Sequence, residues 1–355
     1  MEAKTALLEY KDIIEVEIKK FFKEKLAEAS SLSPYARIIT KSLFVFTNRG
    51  GKRLRSALLY HTYRMFKKNN QKDIIKAGVA IELIHSYLLI HDDIIDEDKL
   101  RRGGHTIPYE YELFHSNRFH KRDSRHFGES MAICIGDLSS HYSLELLSSL
   151  RFPEKYKNEA LELVNKQIAD VIFGEALDVL LEVRDDVKQK DIILVHRLKT
   201  ARYTFETPMY VGAILAGVND KVLGRISKYA IPAGIAFQIQ DDILGMFGDE
   251  TKMGKPSYSD LQEGKQTLLI LKAIERGTSK EVKVIIEALG NKNLTKKQHE
   301  DVKEIIDRTG SLDYSRSLAK RYVNKAIKAL SGLESYSNQV EFFKAIADYM
   351  VKREY

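Results

Sequence analysis

Apolar residues recurring at every third and fourth position, segment after segment, constrain this chain more than any other feature. In "LLEYKDIIEVEIKKFFKEKL", residues 7–26, leucine, isoleucine and phenylalanine share one helix face, with lysine and glutamate opposite. The same spacing returns at 73–97, 129–151, 154–183, 187–217, 221–247, 261–276, 280–290, 296–309 and 311–330. No alternating run marks a strand, and no tandem repeat is visible. With 6 prolines and 20 glycines in 355 residues, breaks are few. They fall at Pro34, "NRGG", "RRGG", Pro153, "GVND" and "GDETKMGKPS". Pro208 and Pro232 lie inside helical runs, where kinks rather than ends are expected. The expectation is an all-α bundle of ten or more helices, forming a single domain over 1–355, since no linker divides it. Residues 104–128, "GHTIPYEYELFHSNRFHKRDSRHFG", stand apart as an extended polar loop, either a lid or an exposed ornament.

A composition of 44% hydrophobic and 30% charged residues excludes a largely disordered chain. The one cysteine, Cys134, excludes an internal disulfide framework and a cysteine-based zinc site, and fits a reducing compartment. The first twenty residues are charged throughout, unlike a signal peptide, and no apolar run approaches the roughly 20 residues that span a bilayer. A cytoplasmic location is expected. The net charge of +7 has a plain explanation in a lysine-rich surface. The other is a polyanionic partner: nucleic acid, an anionic membrane face or a phosphorylated small molecule.

"LIHSYLLIHDDIIDEDKLRRGGH", residues 83–105, runs from an apolar helix into five acids within seven residues. On a helix Asp92 and Asp96 share a face, Asp93 lies one position round, and His85 looks along roughly the same side two turns earlier. Like charges so spaced destabilise a helix, so either solvent or a counter-ion must compensate them. "AFQIQDDILGMFGDE" repeats the design, with Gln238 ahead of Asp241 and Asp242. Two carboxylate pairs that a bundle could bring across one cleft, with no cysteine nearby, suit Mg²⁺ better than zinc. Neither stretch fits a calcium loop. Mg²⁺ held by a few carboxylates commonly shares phosphate oxygens with its substrate. Cations should then lie near, and the candidates are Lys52, Arg55, Arg101, Arg102, Lys199, Lys255 and Lys265. Taken singly, each is an ordinary surface residue. "NRGGKRLRS" is no P-loop; its glycines make a turn before a helix near Leu54, whose positive end suits an anion.

Taken in order, "GGKRLR", "HSYLLIHDDIIDEDKLRRG", "GDL", "LKT", "FQIQDD" and "GKPSYSDLQEGK" resemble the motifs of the trans-polyprenyl (isoprenyl) diphosphate synthases across roughly residues 50 to 266. The resemblance implies a large antiparallel helical bundle around a central cavity, usually dimeric. It implies that Lys52, Arg55, His85 and Arg102 hold isopentenyl diphosphate, and that Arg101, Lys199, Thr200, Gln238, Lys255 and Lys265 attend the allylic diphosphate. It further implies that Asp92, Asp96 and Asp241 ligate Mg²⁺, three ions in all, with Asp93 and Asp242 supporting or sharing that work. Two departures stand out. The family's second motif is commonly DDxxD, but here Gly245 takes the third acidic position, and whether Asp249 beyond it substitutes stays open. Ser56 stands where the family usually shows proline.

Tyr87 precedes Asp92 by five residues, about 7.5 Å along a helix. Turned inward it would floor the cavity, whereas turned sideways it would only pack between helices. In the resembling family a bulky residue here goes with short products, and Leu88, the next candidate, is of middling size. C15 to C20 products are expected, with C20 geranylgeranyl diphosphate favoured. A class I terpene cyclase is disfavoured by "QIQDD" in place of an Asn/Ser/Glu-type metal motif and by the absence of tryptophan. A non-catalytic synthase subunit would lose acids that Asp92, Asp93 and Asp96 retain. A nucleic-acid-binding protein would leave both carboxylate clusters unexplained.

Overall fold

The computed structural model of the chain describes residues 3–119, 121–248, 258–333 and 339–352. In order come helices α1 (Ala3–Leu32), α2 (Pro34–Asn48), α3 (Leu54–Phe66) and α4 (Gln71–Ile95), a two-residue hairpin, then α5 (Ile107–Arg118), α6 (Ser124–Ser148), α7 (Glu154–Glu182) and α8 (Gln189–Val195). A π-helical segment, His196–Glu206, runs directly into α9 (Thr207–Leu215). Then follow α10 (Asp220–Phe247), α11 (Ser259–Glu263), α12 (Leu268–Arg276), α13 (Ser279–Ala288), α14 (Lys296–Arg308), α15 (Ser311–Leu330) and α16 (Val340–Lys352). Helix ends are set locally. The Ser33 hydroxyl caps α2 at the Ala36 amide, 3.0 Å away, and Thr278 and Thr295 form capping boxes with Glu281 and Gln298.

Helix α4 is the spine. It packs along α6 and α3 and contributes Val79, Leu83 and Ile90 to one core and Ile81 and Ile84 to another. By length and composition α4 could cross a membrane, a candidate that the sequence reading did not single out, but 67% of its most apolar window is buried inside the bundle. Helix α10 packs on α15 and on the π-helical segment. Pro232 lies within α10 and the helix continues through it. Pro208 does something other than kink a helix. It sits at the start of α9, where the π-helical segment ends, and having no N–H it cannot donate to either turn.

Residues 104–128 are not an extended loop. Leu100–Arg101 pairs with Gly104–His105, and most of the remainder is helix, in α5 and the start of α6. The aromatic residues there pack rather than decorate: the Tyr111 ring meets Phe114 and Phe127, and His115 lies 4.9 Å from Phe127. The part-exposed Glu110 and Glu112 and the exposed Ser116, Asn117 and Arg118 hide the buried face of α5 from a reading by composition. Among the described residues, 121–123 ahead of α6 keep the charged, irregular character expected of the whole.

Candidate active site

A cavity of about 770 Å³ opens between α4, α7, the π-helical segment and α10. Its polar end holds Asp92 and Arg101, Lys199 and Thr200, Gln238, Asp241 and Asp242, and Asp260 and Lys265. Its apolar walls include Leu88, Val171, Ile172, Val179, Ile192 and Val195. Carboxylates from sequence-distant helices therefore share one hollow.

A tight turn shapes the first acidic end. Arg102 (φ 51°) and Gly103 (φ 71°) both take positive φ, the pattern of a type I′ hairpin turn, and fold Arg101 back over the end of α4. Arg101 reaches Asp93 through Nε, and through Nη2 reaches Asp92 at 3.3 Å and Asp98 at 3.2 Å. Asp93 is 1% exposed. Burial pushes its carboxyl up to about 7, against the pull of Arg101. Asp93 is thus an anchor for Arg101 more than an open ligand. Asp96 sits at the end of α4 and pairs with Lys265 Nζ at 3.0 Å. Burial, then the charge of Asp92, raises its carboxyl above the ordinary range.

The π-helical segment supplies the opposite wall. Lys199, Thr200, Tyr203 and Thr204 all line the cavity, and the wider π turn aligns residues four and five apart on one side. Lys199 Nζ lies 2.9 Å from both Glu175 and Asp178 of α7 and 3.5 Å from Asp92. Thr200 Oγ1 donates to Gln238 Oε1 at 2.6 Å, and Gln238 Nε2 donates to Asp242 Oδ1 at 2.8 Å. His196 Nε2 lies 3.1 Å from Asp242 Oδ2. Asp242 is therefore engaged by its neighbours, while Asp241, one position round the helix, lines the same hollow.

A second hollow, of about 160 Å³, adjoins the first and shares Arg55, His85 and Phe237 with it. Lys52, Arg53 and Arg102 complete its cationic lining, and Glu82 is its acid. The Arg55 guanidinium lies 4.4 Å from the centre of the Tyr203 ring and donates to Thr204 Oγ1 at 2.8 Å. Arg102 donates to the Gly50 carbonyl at 3.1 Å. His85 Nε2 faces Arg55 at 3.3 Å and Arg102 at 3.1 Å. Both arginines are donors, so Nε2 accepts and the ring is neutral. Burial, then these two cations, holds His85 well below its ordinary range. Lys52 Nζ lies 5.4 Å from the centre of the Tyr349 ring of α16. Lys255 and Asp249 lie outside the described residues.

Several residues escaped the sequence reading. Glu175, Asp178 and Glu182 stripe one face of α7 at spacings of three and four, a legible signal that reads equally well as a solvated edge. Burial pushes Glu175 above its usual range and Glu182 up to about 6. Asp96, Asp98 and Glu263 bring one oxygen each within 4.8 Å of one another, a group that overlaps the expected ligand set only at Asp96.

Asp260 explains Gly245. A Cβ at position 245 would lie 2.2 Å from Asp260 Oδ2, so a carboxylate from α11 already fills the space above the glycine. Restoring the third acid with Gly245→Asp is expected to destabilise the protein by about 1–3 kcal/mol through overpacking and like-charge contact, and to lower activity. Thermal melts and turnover check this; a variant at least as stable and active as the parent would contradict the packing.

Of the histidines that line the cavity, His85 Nε2 faces two arginines, His91 Nε2 meets the Ile133 carbonyl and His196 Nε2 lies against Asp242. The donors left for a metal ion are carboxylate oxygens, and the lone cysteine, Cys134, is exposed. An all-oxygen set of this kind suits Mg²⁺.

Comparison with known proteins agrees with this geometry. A family description, polyprenyl synthetase, matches residues 36–308. The chain is 34% identical to the geranylgeranyl diphosphate synthase of Sulfolobus acidocaldarius, covering 89% of this chain and 91% of the relative. It is 35% identical to the enzyme of the same name from Saccharolobus solfataricus, covering 88% and 89%. The fold matches a geranylgeranyl pyrophosphate synthase from Corynebacterium glutamicum, solved with isoprenyl diphosphate and magnesium, at a TM-score of 0.92, 24% identity and coverage of 99% and 100%. By its match over most of its length and its identity to these relatives, the chain belongs to the polyprenyl synthetase family.

Proposed function

We propose that the chain is a short-chain trans-isoprenyl diphosphate synthase, joining isopentenyl diphosphate head to tail to an allylic diphosphate and releasing C15 to C20 products, geranylgeranyl diphosphate above all. The observation that carries this reading is the pair of adjoining hollows. One is small and cationic, the other large, acid-rimmed and apolar in its depth, and Arg55, His85 and Phe237 lie between them. Two diphosphates bound so would put their hydrocarbon ends within reach of each other.

In this reading Lys52, Arg55, Arg102 and His85 hold the isopentenyl diphosphate. Asp92, Asp96 and Asp241, with Asp242 beside them, hold Mg²⁺, as three ions. When bound, Mg²⁺ supplies charge that stabilises the departing diphosphate. Arg101, Lys199 and Lys265 now neutralise acids of the cavity, and the same side chains would grip diphosphate oxygens once those acids turn to metal. The allylic C–O bond breaks, and its electron pair leaves with the diphosphate. The double bond of isopentenyl diphosphate attacks the allylic carbon, and a proton leaves the adjacent carbon for the released diphosphate. Thr200 and Gln238, with the carbonyls of the π-helical segment, supply oxygens close to the developing cation. The apolar walls keep water from quenching it.

Tyr87 and Leu88 both line the cavity, and the Tyr87 ring stands edge-on to His91 at 4.8 Å. The Tyr87 ring is thus braced at the cavity wall, which supports its part as the floor. Tyr87→Ala is expected to lengthen the main product by at least one five-carbon unit, read by chromatography of the dephosphorylated products. An unchanged distribution would remove this floor.

The expected homodimer finds support in exposed apolar side chains at spacings of seven and three, Phe173 and Leu180 of α7 and Val183 just past its end. The function itself is tested with labelled isopentenyl diphosphate and C5, C10 or C15 primers. Products of C15 to C20 are expected with Mg²⁺ and none without it; no condensation with any primer would reject the reading.

A further inference from the structure

Beneath the turn that carries Lys52 and Arg55 lies a carboxylate for which the proposed reaction has no use. Glu82 of α4 is 3% exposed. Its Oε2 accepts from Arg53 Nη1 at 2.9 Å and its Oε1 from Ser56 Oγ at 2.8 Å. Arg53 is buried too, at the base of the small hollow that both residues help to line, and its Nη2 donates to the Thr47 carbonyl at 2.9 Å. The Arg53 backbone takes φ 51°, a left-handed conformation that costs a non-glycine residue free energy. It directly precedes α3 and offers the helix no side-chain cap. What holds the backbone there is the side chain, tied down below to Glu82 and Thr47.

Two effects of Glu82 on the hollow above oppose each other. As a buried negative charge it weakens the pull of the hollow on an anion, so on charge alone its removal should tighten binding. As the anchor of Arg53 it fixes the chain on either side, which carries Lys52 one residue before and Arg55 two residues after. Without Glu82 the closest carboxylate left to Arg53 is Glu15, at 3.7 Å. A buried guanidinium so weakly compensated does not stay in place. Arg53 would turn out towards water, its backbone would relax from φ 51°, and both cations would leave their positions. The geometric effect outweighs the electrostatic one, because the anion in the hollow can recruit other cations but cannot rebuild the turn.

We infer that Glu82 is a positioning residue for the small cationic hollow, acting through Arg53, with Ser56 steadying the carboxylate. This rests on the reading of that hollow as the isopentenyl diphosphate site. The test compares Glu82→Gln, Arg53→Gln, the double variant and Ser56→Ala with the parent, measuring KM for each substrate and kcat. Either glutamine variant is expected to raise KM for isopentenyl diphosphate about tenfold, with kcat and the allylic KM within about twofold. The double variant is expected to be no worse than either single one, because both break the same link. Ser56→Ala is expected to raise the same KM about two- to threefold. An unchanged or lowered KM for isopentenyl diphosphate, additive effects, or equal losses on both substrates with a collapsed thermal melt would overturn the inference. Titration of inorganic pyrophosphate into each protein, followed by calorimetry, separates the two ideas. If the parent binds pyrophosphate but does not condense substrates, the proposed reaction fails, while weaker binding by the glutamine variants still supports the role of Glu82 and equal binding refutes it.

Discussion

Asp92→Ala is expected to lower kcat by at least about a hundredfold at saturating Mg²⁺, with a smaller change in KM for the allylic substrate. Asp92 is the acid of the first cluster that faces the cavity and meets cations from two directions, Arg101 at 3.3 Å and Lys199 at 3.5 Å. Removing it takes away a proposed metal ligand and at the same time loosens both cations. Loosened cations can still hold a diphosphate in the ground state, so binding suffers less than the bond-breaking step, in which negative charge grows on the leaving group. Steady-state kinetics across a magnesium titration check this. Full turnover by the variant would contradict the proposed role of the acid.

Lys199→Ala is expected to cost activity by a comparable factor and also to make stability depend on pH in a defined direction. In the parent, Lys199 neutralises Glu175 and Asp178, both at 2.9 Å. Burial already pushes Glu175 above its ordinary range, and Lys199 pulls it back. Without the lysine the Glu175 carboxyl rises further above its value in the unfolded chain. A carboxyl raised by folding contributes its stability below the unfolded pKa and loses it as pH climbs through the folded one. The parent's own Glu175 already loses its share up to about pH 7, so the variant's deficit should stay level from pH 5 to pH 7 and grow by about 1 kcal/mol by pH 8. Denaturant melts of metal-free protein at these pH values measure it. A deficit that stays flat from pH 7 to pH 8, or shrinks as pH rises, would show that Lys199 is not the counter-ion of these acids.

The bundle was legible because its helices keep a 3.6-residue period over long runs, and because capping residues such as Ser33 and Thr295 stand where those runs begin. The acids at 92–96 and 241–242 were legible as charge placed at the ends of apolar helices. Other parts left no distinct trace. Over eleven residues a π-helix differs from an α-helix by a small drift in period, too little to see in "HRLKTARYTFE". Helix α5 hid behind its charges, since its packing partner Phe127 belongs to a different helix. Asp260 could not be linked to Gly245 from spacing, because their approach depends on how α11 folds back over α10. Glu82 is a lone acid within an apolar helical run, and nothing in the spacing links it to Arg53 and Ser56.

The two-residue turn at Arg102 and Gly103 has a mechanical corollary. Arg101 leans on the acids of the large hollow and Arg102 on His85 of the small one, yet they are consecutive links of one stiff backbone bend. Swinging either guanidinium by more than a rotamer change drags its neighbour along. A ligand that moved one guanidinium would thereby bear on the other, as with two levers fixed to a single axle.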